Sequence, residues 1–365
     1  MSTAAAAAAA VVLLAGLPFD DVSGLAVGER GLYVHEDSGN GPRFARVDRA
    51  GKVLHRYALD VEDVDWEDMA AAPDAQGTPS LWFADVGDNR GQRDDVLLHR
   101  VAEAAPEGPV TTYRFTYEDG PRDAEALLVL PGGRQVAVVS KAVGGTGIYT
   151  AALDAGAVAG SAADSSVLRR AAVLPLQPTG TPGGPVGSFG QLLVTGGAVS
   201  ADGRRLALRT YTDLYEWAWD GDLTPTFARA PVRTALPDTE QGEALGYEAD
   251  GGSLLVASEG DDAPLHRITP ASRPGATGSG VAAGPGSSSP EDGRPSPGSD
   301  GRAGREDGGG DSSDSSDSGD SGDSSGAAGG RQPLPRAVLV GAAAGGVAAV
   351  GLLALVLAVV RRRRR

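Results

Sequence analysis

The sequence predicts an all-β protein. The expected architecture is a β-propeller of five four-stranded blades, or six if a degenerate blade lies between the third and fourth. A disordered linker and one C-terminal transmembrane helix follow it. Three observations carry this. Residues 20–270 repeat one order of short strands, residues 271–336 hold almost no large apolar side chain, and an uncharged apolar run closes the chain before five arginines.

The repeat is seen by aligning five segments on the polar residue that opens a short apolar run. They are SGLAVGERG (23–31), EDMAAAPDA (67–75), EALLVLPGG (125–133), TGGAVSADG (195–203) and EALGYEADG (243–251). Each runs into a polar or Gly-rich turn, as a short strand does. A second strand follows in each unit: LYVHED, LWFADV, VAVVSK, LALRTY and LLVASE. A third follows that: RFARV, VLLHRV, GIYTAA, DLYEWAW and PLHRI. Four units offer a fourth strand, in VLHRYAL, TTYRFTY, VLRRAAVLPL and PTFARAPV, and Leu-His-Arg recurs at 54–56, 98–100 and 265–267. No helix is expected between 20 and 270. Antiparallel units of roughly 40–50 residues are the signature of propeller blades. A β-sandwich, the competing architecture, does not explain five units with one internal order. The Gly/Pro-rich segment 177–190 accounts for the wide gap before the fourth unit, as a long loop or as the remnant of a sixth blade.

Residues 271–336, with DSSDSSDSGDSGDSSG at 311–326, cannot bury a core and are expected to stay extended and disordered as a stalk. Ala337 to Val360 carries no charge and is long enough to cross a bilayer. Arg361 to Arg365 should keep the C-terminus cytoplasmic and leave residues 20–270 outside the cell, in a single-pass cell-membrane protein. Residues 1–19 hold an apolar stretch, Ala4 to Leu17, without a basic start or a clear cleavage site. An export signal, an outer strand of the fold and a misplaced start all fit it.

The formal net charge is -16, and the five terminal arginines are among the cations, so the rest is more acidic still. That argues against nucleic acid as a partner. The expected partners are the membrane, through the C-terminal helix, and an extracellular ligand or protein. With no cysteine, disulfides, thiolate metal sites and cysteine nucleophiles are excluded.

Equivalent residues of equivalent strands lie at one height around a propeller axis. Ser23, Glu67, Glu125, Thr195 and Glu243 should therefore ring the channel mouth. The second strands end beside them with Glu36, Asp85, Ser140, Thr210 and Ser258, then Asp37, Val86, Lys141, Tyr211 and Glu259. Acidic loops follow, among them DVGDNRGQRDD (85–95). Candidate ligand-binding residues are Glu67, Glu125, Glu243, Asp37, Asp85 and Lys141. Candidate metal ligands are Glu67, Glu125, Glu243, Asp85 and Asp88. Convergent carboxylates suit a hard cation such as calcium, which wants six to eight oxygens. They also suit acid/base work, or plain acceptance of backbone N–H groups. No spaced Asp-x-Asp-x-Asn-Gly loop is present. GDSSG (322–326) matches G-x-S-x-G by chance inside the stalk, without strand or helix around it. His55, His99 and His266 fall at strand positions and are expected to pack; His35 lies near the mouth. Trp66, Trp82, Trp217 and Trp219 are expected between blades.

DWEDMA (65–70), DVGDNRG (85–91), LRTYTDLYEW (208–217) and QGEALGY (241–247) resemble the bacterial phytase-like ("esterase-like activity of phytase") propellers. They are closer to the exported or membrane-anchored, WD-repeat-like propellers of high-GC Gram-positive bacteria. The resemblance covers about 20–270. It implies a propeller and, through its phytase label, calcium-dependent phosphoester hydrolysis. No dense Lys/Arg set for a polyanion stands at the mouth, and Trp219–Asp220 is a lone Trp-Asp pair. The expected function is a tethered cell-surface binding or interaction module. The alternative is a calcium-dependent hydrolase of phosphoesters, esters or lactones at the channel mouth.

Overall fold

Successive residues of the second strands point to opposite sides, and both sides are buried. Leu81 and Phe83 enter one apolar cluster while Trp82 and Ala84 enter another; Val136 and Val138 part from Ala137 and Val139 in the same way. A strand sandwiched on both faces reads as a continuous apolar run, which is why LWFA and VAVV lack alternation. In the computed structural model, which describes residues 8–274 apart from 38, 40, 63 and 154–165, these strands form five blades around one axis.

The first blade is β2 (Val22–Val27), β3 (Leu32–Glu36), β4 (Arg43–Val47) and β5 (Val53–Ala58). The second is β6 (Trp66–Pro73), β7 (Pro79–Asp85), β8 (Val96–Ala102) and β9 (Thr111–Tyr117). The third is β10 (Ala124–Val129), β11 (Gln135–Ser140), β12 (Thr146–Ala152) and β13 (Ser166–Leu174). The fourth is β14 (Val194–Val199), β15 (Arg205–Thr210), β16 (Asp213–Ala218) and β17 (Val232–Ala235). The fifth is β18 (Gln241–Tyr247), β19 (Leu254–Glu259) and β20 (Pro264–Thr269), with β1 (Ala10–Gly16) outermost. Innermost strands β2, β6, β10, β14 and β18 pack in turn around the axis, with β18 against β2. Five apolar clusters fill the five interfaces between blades.

Three features depart from a simple count of repeats. Strand β1 pairs antiparallel with β20, from Ala10↔Thr269 to Gly16↔Pro264. The apolar N-terminal stretch thus supplies the fourth strand of the last blade and ties both ends of the domain together. Outer strands β9 and β13 pair in parallel, Ser166↔Phe115 to Leu168↔Tyr117, joining the second and third blades into one eight-stranded sheet. In the fourth blade PTFARAPV is not a strand along its length. Leu223–Phe227 is a helical turn, α1, whose N-cap Asp222 accepts from Thr224 N, and β17 starts only at Val232.

Segment 177–190 is a loop, so the blades number five among the described residues. It is held by side chains. Gln191 Oε1 accepts from the Thr179 and Gly180 N–H groups, at 2.7 and 3.0 Å, and the Asp213 carboxylate accepts from the Thr179 and Thr181 hydroxyls. Leu-His-Arg at 98–100 and 265–267 lies on third strands, but at 54–56 on the fourth, so that recurrence is not a register mark. Among the described residues no helix is long and apolar enough to cross a membrane. The apolar run 337–360, the arginine tail and nearly all of the stalk lie outside the described residues.

One buried side chain binds the axis together. Asp68, on β6, accepts from its neighbour Met69 N at 2.8 Å through Oδ1. Its Oδ2 accepts from Leu127 N on β10 at 2.8 Å and from Gly197 N on β14 at 3.0 Å. Burial pushes its carboxyl well above the usual range, and the three N–H donors pull it back. All three partners donate, so the geometry calls for the ionised acceptor. Asp68→Ala would leave three buried N–H groups without a partner. It should cost about 2–4 kcal/mol in urea unfolding; a loss under roughly 0.5 kcal/mol, the usual scatter for surface changes, would show that the pin is not needed.

Candidate functional site: the channel mouth

Each innermost strand carries a β-bulge near its start, one residue in for the first four and after Gly242 in the fifth. The register slips between Val22 and Gly24, Trp66 and Asp68, Ala124 and Ala126, and Val194 and Gly196. In the fifth blade it slips between Gly242 and Leu245. The extra residues are Ser23, Glu67, Glu125 and Thr195, with Glu243 in the two-residue step of the last. Bulges re-aim side chains out of the pleat. All five residues are buried at the head of the channel, at one end of the ring of strands. Below them the channel narrows to an apolar cavity of about 50 Å³, lined from all five innermost strands by residues such as Leu25, Met69, Val129, Gly197 and Leu245.

The ring is not uniform. Ser23 Oγ donates to the Glu67 carbonyl at 2.6 Å, and Thr195 Oγ1 to the Gly242 carbonyl at 2.8 Å, stitching neighbouring innermost strands. The carboxylates do something different. One oxygen each of Asp37, Asp65 and Glu67 lie within 4.8 Å of one another, and so do one each of Glu67, Asp123 and Glu125. Glu67 belongs to both clusters. It is 2% exposed and its Oε1 has no hydrogen-bond partner; Glu125 is 3% exposed and its Oε2 has none.

Burial pushes the Glu67 carboxyl well above its ordinary value, and the charges of Glu125, Asp37 and Asp65 push it further. Burial also raises Glu125, against the pull of Lys141, and raises Asp123. The Lys141 ammonium pairs with Glu125 Oε1. Burial works against that ammonium, but Glu125, Tyr211, Glu243 and Asp123 outweigh it and hold it charged. Its nitrogen lies 5.3 Å from the centre of the Tyr211 ring. Gln241 Nε2 donates to Glu243 Oε1 at 3.1 Å and also reaches Glu259.

Two close approaches shape the mouth. A Cβ on Gly87 would lie 2.2 Å from Glu67 Oε1 and 2.5 Å from Asp65 Oδ2, so a larger residue there would push both carboxylates aside. A Cβ on Gly242 would lie 1.9 Å from Arg209 Nη2. That buried guanidinium donates to the Ala244 and Ala257 carbonyls at 3.0 and 3.1 Å. Burial pushes it down to about 10, with Glu243 and Tyr211 opposing.

Of the residues singled out from sequence, Glu67, Glu125, Asp37 and Lys141 come together, and Glu243 stands near Lys141 on the fifth blade. Asp85 and Asp88 are engaged otherwise. Asp85 accepts from Val64 N and Asp65 N, at 3.2 and 3.1 Å, and pairs with Arg93 at 2.7 Å. Asp88 accepts from Gln92 N and Arg93 N, at 2.9 and 2.8 Å, closing its own loop. Asp65 and Asp123 were not singled out. Their signal is D-x-E at 65–67 and again at 123–125, an acid two residues before each aligned glutamate. His35 is packed edge-on to Trp66, with ring centres 5.7 Å apart, and its Nδ1 lies 2.9 Å from the Glu36 carbonyl oxygen. Burial lowers it, which suits a neutral packing group. His99 is buried beside Thr112, while His55 is exposed. Trp66, Trp82 and Trp217 fill three different interfaces between blades.

No protein-family model matches the chain, and no curated protein matches it. Solved structures do. The glutaminyl cyclase of Myxococcus xanthus is 8% identical over 72% of this chain and 97% of its own, with a TM-score of 0.42. A chain of a nidogen/laminin complex is 14% identical over 66% of this chain and 73% of its own, with a TM-score of 0.37. The Myceliophteria thermophila Cps50 (Swd1) β-propeller domain is 13% identical over 68% of this chain and 82% of its own, with a TM-score of 0.33.

A carboxyl raised in the folded state stabilises the fold below its unfolded value and loses that contribution as pH rises through its folded value. Glu67 is such a group. With chelator present, wild type should therefore lose melting temperature relative to Glu67→Gln as pH rises from about 4.3, the free glutamate value, toward 8. A difference between the two that is constant across that range would show that Glu67 is not strained by its neighbours.

Proposed function

We propose that this chain is a cell-surface β-propeller, carried on a C-terminal membrane anchor, whose channel mouth binds a hard divalent cation of the calcium class. The observation that carries the cation site is the gathering of Asp37, Asp65, Glu67, Asp123 and Glu125 into two clusters that share Glu67, with the Lys141 ammonium paired to Glu125 and with Glu67 Oε1 buried and without a hydrogen-bond partner. Buried charges are tolerated when they are paired or coordinate a metal. Here the carboxyls outnumber the facing cation, so the apo mouth must take up protons or bear repulsion. A divalent ion relieves both, and oxygen-only donors select calcium or magnesium over softer metals. The bound ion would in turn offer open coordination positions to an extracellular ligand arriving from the mouth.

The anchor is proposed on the uncharged run 337–360 and the arginines after it. Protease added to intact cells should remove the propeller and leave a small C-terminal fragment protected; cleavage of a tag placed after Arg365 would reverse the orientation.

For the cation, the test is thermal melting of the full chain in mild detergent, with calcium alone as the probe. Calcium at a hundredfold excess over Kd should stabilise by about 2.7 kcal/mol, and chelator should remove the gain. Glu67→Gln should melt at the same temperature with calcium or chelator. A wild-type melting curve that calcium leaves unmoved would refute a native cation site, and turnover of phosphoesters or lactones would point instead to a hydrolase.

A further inference from the structure

We propose that Lys141 is a tethered cation filling the second of two carboxylate clusters at the mouth, so that the native protein takes one divalent ion, at Asp37, Asp65 and Glu67. This rests on the cation site proposed above and concerns its stoichiometry. The two clusters share Glu67. The second cluster, Glu67, Asp123 and Glu125, already has a positive charge built in. Lys141 Nζ reaches Glu125 Oε1 with both side chains almost fully buried, at 4% and 3% exposure. Its own backbone N–H donates to the Asp123 carbonyl at 3.1 Å, which fixes the root of the side chain beside that cluster. The Tyr211 ring lies against the ammonium on the side of the fourth blade.

The ion pair of Lys141 is made within the second cluster, to Glu125. Lys141 acts on Glu67 more weakly than Glu125, Asp37 or Asp65 do. Glu67 Oε1 lies with Asp65 Oδ2 against Gly87 and has no hydrogen-bond partner. An ammonium supplies one charge and three donors, enough to settle one cluster and too little for both. Replacing it by a neutral side chain of similar length would leave Glu125 and Asp123 as oxygen donors facing Glu67, and so create a second position for a divalent ion.

Isothermal titration of the full chain in mild detergent with calcium alone tests this. Wild type should bind one ion, and Lys141→Met should bind two. Glu125→Gln, which breaks only the second cluster, should keep one ion with a Kd within about threefold of wild type. If Lys141→Met needs calcium to fold, it is titrated from a calcium-loaded state by stepwise chelation, and if it does not fold at all Glu125→Gln decides. One ion in Lys141→Met, two in wild type, or loss of the wild-type ion in Glu125→Gln would each overturn the assignment while leaving a cation at the mouth. No ion in either wild type or Lys141→Met would overturn both. No ion in wild type but one in Lys141→Met would overturn the native site and keep Lys141 as the occupant.

Discussion

The extra residue at the head of each innermost strand governs this molecule. In a regular strand the side chains at 23, 67, 125, 195 and 243 would alternate into the interfaces between blades, where apolar contacts leave no place for a carboxylate. The bulge frees that residue from the ladder and turns it to the axis. Five bulges at one height turn five polar side chains to one place. What each then does depends on its chemistry. Ser23 and Thr195, short hydroxyls, stitch adjacent innermost strands. Glu67 and Glu125 reach farther and meet the acids that precede and face them. The residue after Glu67, Asp68, satisfies N–H groups on two other blades, and a small apolar cavity lies along the innermost strands.

Much of the fold is legible in the sequence because propeller strands are buried on both sides. That makes VAVVSK and LWFADV continuous apolar runs that end in a polar residue at a fixed offset. The offset is what aligns the ring, and it places Glu36, Asp85, Ser140, Thr210 and Ser258 opposite the residue before each bulge in all five blades. Strand β1 is harder to see. AVVLLAG has the length and apolarity of a strand and of an export signal alike, and its partner β20 is some 250 residues away in sequence, so nothing local decides it. The turn α1 was hidden for the opposite reason. DLTPTF carries its own capping signal in Asp222 and Thr224, but a repeat read as four strands leaves no slot for a helix.

Within the site, the strand-head residues and Asp37 are legible in the sequence, and Asp65 and Asp123 are not. Asp65 and Asp123 precede the aligned strands, where composition alone does not distinguish a facing acid from a solvated one. Asp85 and Asp88 lie in the same kind of acidic loop, and there the carboxylates bind backbone N–H groups and Arg93 instead. The difference is which N–H groups the loop leaves unpaired, and that depends on tertiary closure. Gly87 is the clearest trace in the sequence. It stands in DVGDNRG because any side chain there would strike Glu67 and Asp65 together.

The mouth also shows a cost carried for function. Asp68, Arg209 and Asp213 are buried ionic groups whose hydrogen-bonding atoms are met by backbone or side-chain partners, so they fix the geometry of the axis. Glu67 and Glu125 are equally buried, yet each keeps an oxygen without a partner. The proposed cation would meet the free oxygen of Glu67. The most direct measurement is an anomalous difference map from crystals grown with manganese as a heavier stand-in for calcium. A peak at about 2.0–2.6 Å from oxygens of Asp37, Asp65 and Glu67, the range of hard-cation contacts, is the predicted result. A map with no peak among the mouth carboxylates, at a manganese concentration that saturates binding in solution, would contradict it.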